Sequence, residues 1–373
     1  MLYCSTGIRK IQPQEYDVFF GLDVDKRSIV GLQVDHLGVE QSVRMPYDAA
    51  KMLHYLGHRL NDQRVALVYE AGPTGFGLAD TLLAAGYPCM VVNAAQVPTE
   101  RGKRVRTNRL DARKLAYQLR GGNLHGILVP SEIYRHLREY VTLRKMHMTD
   151  STKCKQRIKA LFLRYGFAWP DPRESGTWSK ALIRQLTDYE CAPALHFKLQ
   201  SLIASLAFSR SQALTAQQDM RRFVEATPEL AESVRYAMSI PGIGWIVSTY
   251  AIARIGDWRE LKTSDQTASF MGLVQSEDST GDTNSRGSIT KAGDPVLRSL
   301  MIEASWTAIR KDPELAAFYE RIKQTHAKDK ASQIAIVAVA RKVATRLHCV
   351  LKERRVYQVK IVSDAPERRF GVS

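Results

Sequence analysis

Short apolar runs separated by turns and helical segments dominate residues 17–125 and restrict the folds open to this part of the chain. Three runs with strand character, at residues 18–24, 28–34 and 38–45, follow one another through short turns, which favours an antiparallel meander. A helical segment at residues 47–60, an apolar strand at 65–69, a helix at 77–85 and a strand at 88–92 come next. A last helix begins near Asn108. The sequence therefore predicts an α/β domain with the order βββ-α-β-α-β-α.

Acidic side chains stand at the ends of two of these strands and at the start of the last helix. Asp23 ends the first apolar run, Glu70 ends the run at residues 65–69, and Asp111 opens the helix after Asn108. The same element order occurs in ribonuclease-H-like domains, whose sheet places one acid on the first strand and another on the fourth. Carboxylates at the ends of core strands need a partner or a metal. We therefore predict a site for Mg²⁺ (or Mn²⁺) made by Asp23, Glu70 and Asp111.

Two neighbouring residues leave alternatives open. Asp25 shares a strand face with Asp23, but it also precedes a turn, so it is either a turn residue or an assisting acid. Asn108 lies one helical turn before Asp111 and can lend a neutral oxygen to a metal, act as the N-cap, or do both. Asp111 itself is a residue type that helix starts favour without any metal.

The net charge points to a polyanionic partner. Lys and Arg outnumber Asp and Glu by 54 to 38 in the 373 residues, which gives a formal charge of +16. Such an excess usually serves binding to nucleic acid. The five cysteines are scattered and odd in number, as in a reducing compartment. With no signal peptide before Tyr16 and no membrane-length apolar run, we expect a cytoplasmic protein without membrane contact.

A dense basic stretch adjoins the acids and continues along the next helix. A run of charges is most often a solvated face, but beside a metal site it favours a strip that follows the phosphate backbone. The residues of this stretch are Arg101, Lys103, Arg104, Arg106, Arg109, Arg113 and Lys114.

The rest of the chain is predicted to be mainly helical. One long helix covers residues 130–165, a Pro-rich turn follows at 169–172, and helical spacing resumes over 179–223, so an antiparallel helical hairpin is expected. From residue 228 the pattern is that of a helical domain, with a Pro-Gly-Ile-Gly turn before a helix at residues 246–255 and further helices at 295–311 and 328–352. Gly242 and Gly244 of that turn either contact a DNA phosphate or are purely structural.

A polar loop at residues 275–291 is rich in hydroxyl groups and has Arg286 and Lys291 close by. By composition it could be a solvent loop. Beside a metal and DNA, one of its hydroxyls could instead act as a nucleophile on phosphorus, provided that a base or metal activates it.

Taken together, these motifs resemble the IS110 family of bacterial insertion-sequence transposases, which are related to Piv-type DNA invertases. The matching segments are Gly21-Leu22-Asp23, Tyr69-Glu70-Ala71-Gly72, the run from Thr107 to Ala116, Ile240-Pro241-Gly242-Ile243-Gly244, and the segment from Ser279 to Gly293. The resemblance covers about residues 17 to 355. It implies a RuvC-like DEDD domain (17–128), a helical coiled-coil hairpin (129–226) and a mainly helical transposase domain with a helix-hairpin-helix-like motif (227–356). Tails at 1–16 and 357–373 flank these domains.

The resemblance also implies a mechanism. It implies RNA-guided recombination, in which a noncoding bridge RNA made by the element pairs with donor and target DNA and a homo-oligomer (dimer or tetramer) exchanges strands. Asp23, Glu70 and Asp111 match three of the four family acids, and the fourth falls at Asn108. The nucleophilic serine of the family falls at Ser279, or at Thr280 by strict spacing from Gly272.

Two other functions use the same residues differently. A metal-dependent endonuclease or junction resolvase would use the acids to activate water and would not need the hydroxyl loop. A non-catalytic nucleic-acid-binding protein would use the acids only as caps and ion-pair partners.

Overall fold

The computed structural model describes residues 8–98, 107–171, 176–280, 283–327 and 329–358; at 276–280 and 283–287 it describes the backbone without the side chains. The chain divides into two compact units, Met1–Glu132 and Ile133–Ser373. Each unit has its own apolar core.

The first unit is built on one mixed five-stranded sheet. Its strands are β1 (Val18–Val24), β2 (Ser28–Asp35), β3 (Glu40–Pro46), β4 (Val65–Glu70) and β5 (Cys89–Val92). They are ordered β3-β2-β1-β4-β5 across the sheet. β1, β2 and β3 pair antiparallel, which confirms the predicted meander. β4 pairs parallel with both β1 and β5, so strands distant in sequence lie side by side.

Helices cover both faces of this sheet, as the alternation of its side chains requires. On one face Phe20, Leu22 and Tyr69 form a core with α1 (Ala49–Arg59) and α2 (Gly77–Ala84). On the other face Phe19 and Val68 pack against α3 (Asn108–Arg120). The mixed α/β architecture that the sequence predicts is therefore present.

The second unit begins with the predicted helical hairpin. α4 (Glu132–Tyr165) confirms the long helix, and it runs antiparallel to α6 (Pro193–Glu225). Arg144 on α4 donates to Gln217 on α6 over 3.0 Å, and the Tyr140 and Phe223 rings lie 5.3 Å apart. The prediction of uninterrupted helical spacing over 179–223 was wrong, because a short α5 (Lys180–Thr187) ends before Pro193 starts α6. Proline at the first turn favours a new helix start there.

In the described part of the unit six further helices follow: α7 (Pro228–Met238), α8 (Trp245–Ile255), α9 (Ser264–Phe270), α10 (Pro295–Lys311), α11 (Pro313–Gln324) and α12 (Ala331–Glu353). The sequence prediction missed α9 and α11. Residues 275–291, predicted as a polar loop, instead contain the β-hairpin β6 (Gln275–Thr280) and β7 (Thr283–Ile289). Its strands lack the apolar alternation by which a strand is recognised.

Among the helices that the structure describes, none combines the length and apolar character needed to cross a lipid bilayer.

Candidate catalytic centre

The register between β1 and β4 brings Asp23 level with Glu70. Leu22 pairs with Tyr69 in this parallel ladder, so the next residue on each strand is an acid. Paired residues of neighbouring strands point to the same face of a sheet, and strands lie about 4.8 Å apart. Phe19 and Gly21 share the face of Asp23, and Phe19 packs against α3. Both carboxylates therefore lie on the face that α3 covers.

A close contact between β1 and α3 brings the third acid to the same place. A Cβ added to Gly21 would lie 2.1 Å from the carbonyl oxygen of Ala112, so the helix backbone packs directly on the strand. Only glycine permits this approach. Asp111 precedes Ala112 in the chain, and Gly21 stands two residues before Asp23. The glycine thus fixes the first turn of α3 beside the end of β1.

The electrostatics of Asp23 reflect these neighbours. Burial, followed by the negative charges of Asp111, Glu70 and Asp25, raises the pKa of the Asp23 carboxyl. Within the described ranges, Asp23, Glu70 and Asp111 form no ion pair with Lys or Arg that would offset this repulsion. A partly buried carboxylate cluster without a cationic side chain is the chemistry that suits a divalent cation.

The three acidic side chains are not yet arranged as a set of metal ligands. In the part of the chain that the structure describes, no three His, Cys, Asp or Glu side chains are arranged so that they could hold a metal ion. Mutual repulsion keeps like-charged side chains apart, and a cation that balanced the charge would favour their approach. The donor set therefore fits a divalent cation in residue type, and the metal site itself stays a prediction.

Asn108 does not cap α3. Thr107 is the N-cap, and its hydroxyl accepts a hydrogen bond from the amide of Leu110 over 3.3 Å. Asn108 is the first helical residue and its side chain is exposed on the face of Asp111. The capping alternative for Asn108 was therefore wrong, whereas its role toward a metal stays a prediction.

Asp25 is a turn residue in this structure. Its carboxylate accepts a hydrogen bond from the amide of Lys26, and its own amide donates to the carbonyl of Ser28 over 2.9 Å. Its charge contributes to the raised pKa of Asp23, so it is close to the site without joining the strand-end pair.

The basic stretch is only partly described. Arg109 is exposed at the start of α3, and Lys114 is half-buried. Arg113 is held 2.6 Å from Glu40 and lies over the ring of Tyr117, which reduces its availability for phosphate. The remaining predicted cations, Arg101, Lys103, Arg104 and Arg106, lie outside the described residues.

The Pro-Gly-Ile-Gly turn joins α7 to α8 in the second unit. Gly242 has φ +89°, and a Cβ there would lie 2.4 Å from the carbonyl oxygen of Ala304 on α10. Glycine is therefore required at position 242 for the turn to pack against α10. Gly244 precedes α8 as its N-cap, with open space where a Cβ would stand. Phosphate contact at this turn stays a prediction.

The hydroxyl-rich hairpin carries the two candidate nucleophiles on β6. The backbone of Ser279 pairs with Asn284, and that of Thr280 pairs with Thr283. The side chains of both residues, and that of Arg286, lie outside the description. The choice between Ser279 and Thr280 therefore stays a prediction.

Arg298, a residue that the sequence did not single out, connects the two ends of this hairpin. Arg298 on α10 donates to the carbonyl oxygens of Met271 and Lys291, over 3.3 and 3.2 Å. Those oxygens belong to the two chain segments that flank the hairpin. Lys291 is exposed and adopts φ +54°, an uncommon backbone for a non-glycine residue. No local sequence signal marks Arg298, because its partners are backbone carbonyl groups and Met271 is 27 positions away in the chain.

The first segment of the chain and a later one match known families. Residues 20–167 match the IS110-type DEDD family, whose description is transposase. Residues 234–320 match the transposase IS116/IS110/IS902 family. The first match contains Asp23, Glu70 and Asp111, and the second contains the glycine turn and the hydroxyl-rich hairpin.

Individual relatives agree with these matches. The transposase candidate y4qE of Sinorhizobium fredii is 28% identical over 321 residues, covering 79% of this chain and 77% of that protein. The transposase for insertion sequence element IS1533 of Leptospira borgpetersenii is 21% identical, covering 89% of this chain and 94% of its own length. The pilin gene-inverting protein of Moraxella bovis is 28% identical over 142 residues, covering 38% of this chain and 43% of that protein.

Proposed function

This chain belongs to the IS110 family of transposases, and we propose that it is an RNA-guided DNA recombinase of an insertion sequence. In this proposal it exchanges DNA strands through a covalent bond to its own hydroxyl group. Its partners are donor and target DNA, a noncoding guide RNA encoded by the element, and further copies of the same chain.

One observation carries the proposal for the acidic site. Asp23, level with Glu70 and beside the first turn of α3, has a pKa raised by burial and by the charges of Asp111 and Glu70. A group of acids that repel one another costs stability unless a cation balances their charge. The nucleic-acid-binding alternative, in which the acids only cap and pair, lacks support because Thr107 supplies the cap and no described cation pairs with the acids.

The acids and the hydroxyl have separate tasks in this reaction. Asp23, Glu70 and Asp111, with Asn108 as a neutral fourth ligand, would hold Mg²⁺ or Mn²⁺, which when bound supplies positive charge against the phosphate. The oxygen of Ser279 (or Thr280) forms a bond to phosphorus while the bond from phosphorus to the 3′ oxygen breaks. The hydroxyl proton passes to that 3′ oxygen. The products are a 5′-phosphoserine link and a free 3′ hydroxyl, so rejoining reverses the step without net hydrolysis.

The decisive experiment looks for the covalent link. The purified chain is incubated with Mg²⁺, labelled DNA spanning the junction of its own element, and RNA transcribed from the flank of its gene. A labelled protein–DNA adduct that survives denaturation is expected. Either Ser279→Ala or Thr280→Ala should abolish it, whereas Ser269→Ala, an exposed hydroxyl at the end of α9, should not.

Other results would assign a different function. DNA cleavage without an adduct in the doubly substituted chain would identify a metal-dependent endonuclease that uses water. An adduct that forms equally well without RNA would remove the guide from the proposal but keep the recombinase.

A further inference from the structure

The helical hairpin of α4, α5 and α6 contains a cavity of about 220 Å³ at the end where α4 gives way to α5. Four aromatic rings, those of Phe162, Phe167, Trp169 and Trp178, line it together with Lys159. It lies in the second unit, within a single group of helices, and none of its residues belongs to the acidic site or to the hydroxyl-rich hairpin.

Phe162 is buried in the core at this end of the hairpin, and the other three rings pack against that core. Aliphatic side chains already fill that core, among them Ile158, Leu182 and Leu199. Phe167, Trp169 and Trp178 are only partly buried. The rings meet edge to face: Trp169 is inclined by 76° to Phe162 and by 67° to Trp178, with centroids 5.2 and 5.7 Å apart. In each edge-to-face contact the edge of one ring covers a face of the other, so a flat ligand can stack only on the ring faces that line the cavity.

Positive charge surrounds the cavity. The Lys159 ammonium lies over one face of the Trp169 ring, 5.8 Å from its centre, and the side chain of Lys159 is exposed. Arg164 and Lys180, close to the lining in sequence, are exposed as well. Residues 151–200 contain nine Lys and Arg against four Asp and Glu. One acid, Asp171, is also among the described lining residues.

We propose that this cavity binds one unpaired nucleobase of a single-stranded nucleic acid. Aromatic rings that line an open cavity and are flanked by cations are a combination by which proteins hold single strands: each base stacks on a ring, and the adjoining phosphate meets a cation. Here Trp178 and the face of Trp169 that Lys159 leaves uncovered supply the stacking, and the exposed Lys159 ammonium meets the phosphate. An apolar peptide could use the rings but would gain nothing from the cations, so the charge favours nucleic acid.

The cavity can be tested without knowing the natural strand and without the recombination reaction. The intact chain is titrated with oligo-uridine, with oligo-thymidine and with an abasic deoxyribose oligomer of equal length, while tryptophan fluorescence is recorded. Both base-bearing oligomers should quench the fluorescence and bind more tightly than the abasic one. Trp169→Leu should weaken their binding roughly tenfold and leave abasic binding unchanged. The two sugars separate an RNA site from a DNA site.

Two variants keep the result interpretable. Phe208→Leu, an exposed ring on α6 that does not line the cavity, should bind like the parent chain. Trp169→Phe keeps a ring and should retain most of the affinity, even if the leucine variant folds poorly. Equal binding of abasic and base-bearing oligomers, or a phenylalanine variant that binds no better than the leucine variant despite an intact fold, would overturn the proposal. Neither result bears on the covalent adduct, so the recombinase proposal is judged separately.

Discussion

Gly21 of β1 and Ala116 of α3 are in backbone contact: a Cβ on Gly21 would lie 2.5 Å from the amide nitrogen of Ala116. This contact decides where the first turn of α3 lies, and with it the place of Asp111 beside Asp23. A single glycine inside a strand therefore couples the packing of the first unit to its acidic site.

Replacing Gly21 should disturb both the packing of the first unit and the acidic site. Gly21→Ala forces the strand and the helix apart and should lower the free energy of unfolding by about 2 kcal/mol or more. Gly57→Ala is the matched control, because Gly57 lies in α1 with nothing within 4 Å of the added Cβ. There alanine should be neutral or stabilising. Urea denaturation of both variants measures this, and equal stabilities would contradict the packing role of Gly21.

The repulsion at Asp23 predicts a pH-dependent stability. Burial and the neighbouring acids hold the folded-state pKa of Asp23 above its ordinary value of 3.8, so the folded state binds the proton more tightly than the unfolded chain. The contribution of Asp23 to stability is therefore present below the unfolded-state pKa and is lost as the pH rises through the folded-state pKa. Without divalent metal, Asp23→Asn should be more stable than the parent at neutral pH, with the difference vanishing in acid.

When divalent metal is added, Asp23→Asn should become less stable than the parent chain. Mg²⁺ should raise the melting temperature of the parent chain, whereas Asp23→Asn should respond weakly because a ligand is missing. Asp25→Asn should keep the metal response if Asp25 is only a turn residue. A melting temperature of the parent that ignores both Mg²⁺ and Mn²⁺ would argue against a cation site at these acids.

Asn108 offers a test of the fourth ligand. Asn108→Asp adds a carboxylate one turn before Asp111, at the N-terminal end of α3 where the helix dipole favours negative charge. The Mg²⁺ concentration for half-maximal adduct formation should fall several-fold, and Asn108→Ala should leave it unchanged or raise it. An aspartate variant that needs more Mg²⁺ than the parent would show that the side chain at 108 faces away from the metal.

Arg298 should position the hydroxyl-rich hairpin. Arg298→Ala frees the segments at Met271 and Lys291, so the rate of adduct formation should fall about tenfold or more while DNA affinity changes little. Both hydrogen bonds come from Nη1 of Arg298, and the shorter side chain of lysine should not bring its ammonium to both carbonyl oxygens, so Arg298→Lys should not restore the rate. Arg310→Ala, on the exposed side of the same helix, is the control. Equal losses of affinity and rate would instead indicate a direct DNA contact.

Much of the fold follows from local patterns. The meander, the buried strand at β4 and the long helix α4 were predictable because apolar periodicity and turn residues act over a few positions. The polar hairpin β6–β7 was not, because its strands carry no apolar alternation and form through backbone pairing. The break between α5 and α6 was also missed, although Pro193 marks the new start.

The candidate site also has features that the sequence predicts and features that only the tertiary structure determines. The sequence by itself determined that Asp23 and Glu70 end apolar strands and that Asp111 opens a helix, since these are properties of neighbouring residues. Only the tertiary structure decided that the three acids share one face, because that depends on the parallel register of β1 with β4 and on the approach of α3 to Gly21. It also decided that Arg113 is bound to Glu40, 73 positions away in the chain. Pairings over such distances depend on how the sheet and helices pack, which no local pattern encodes.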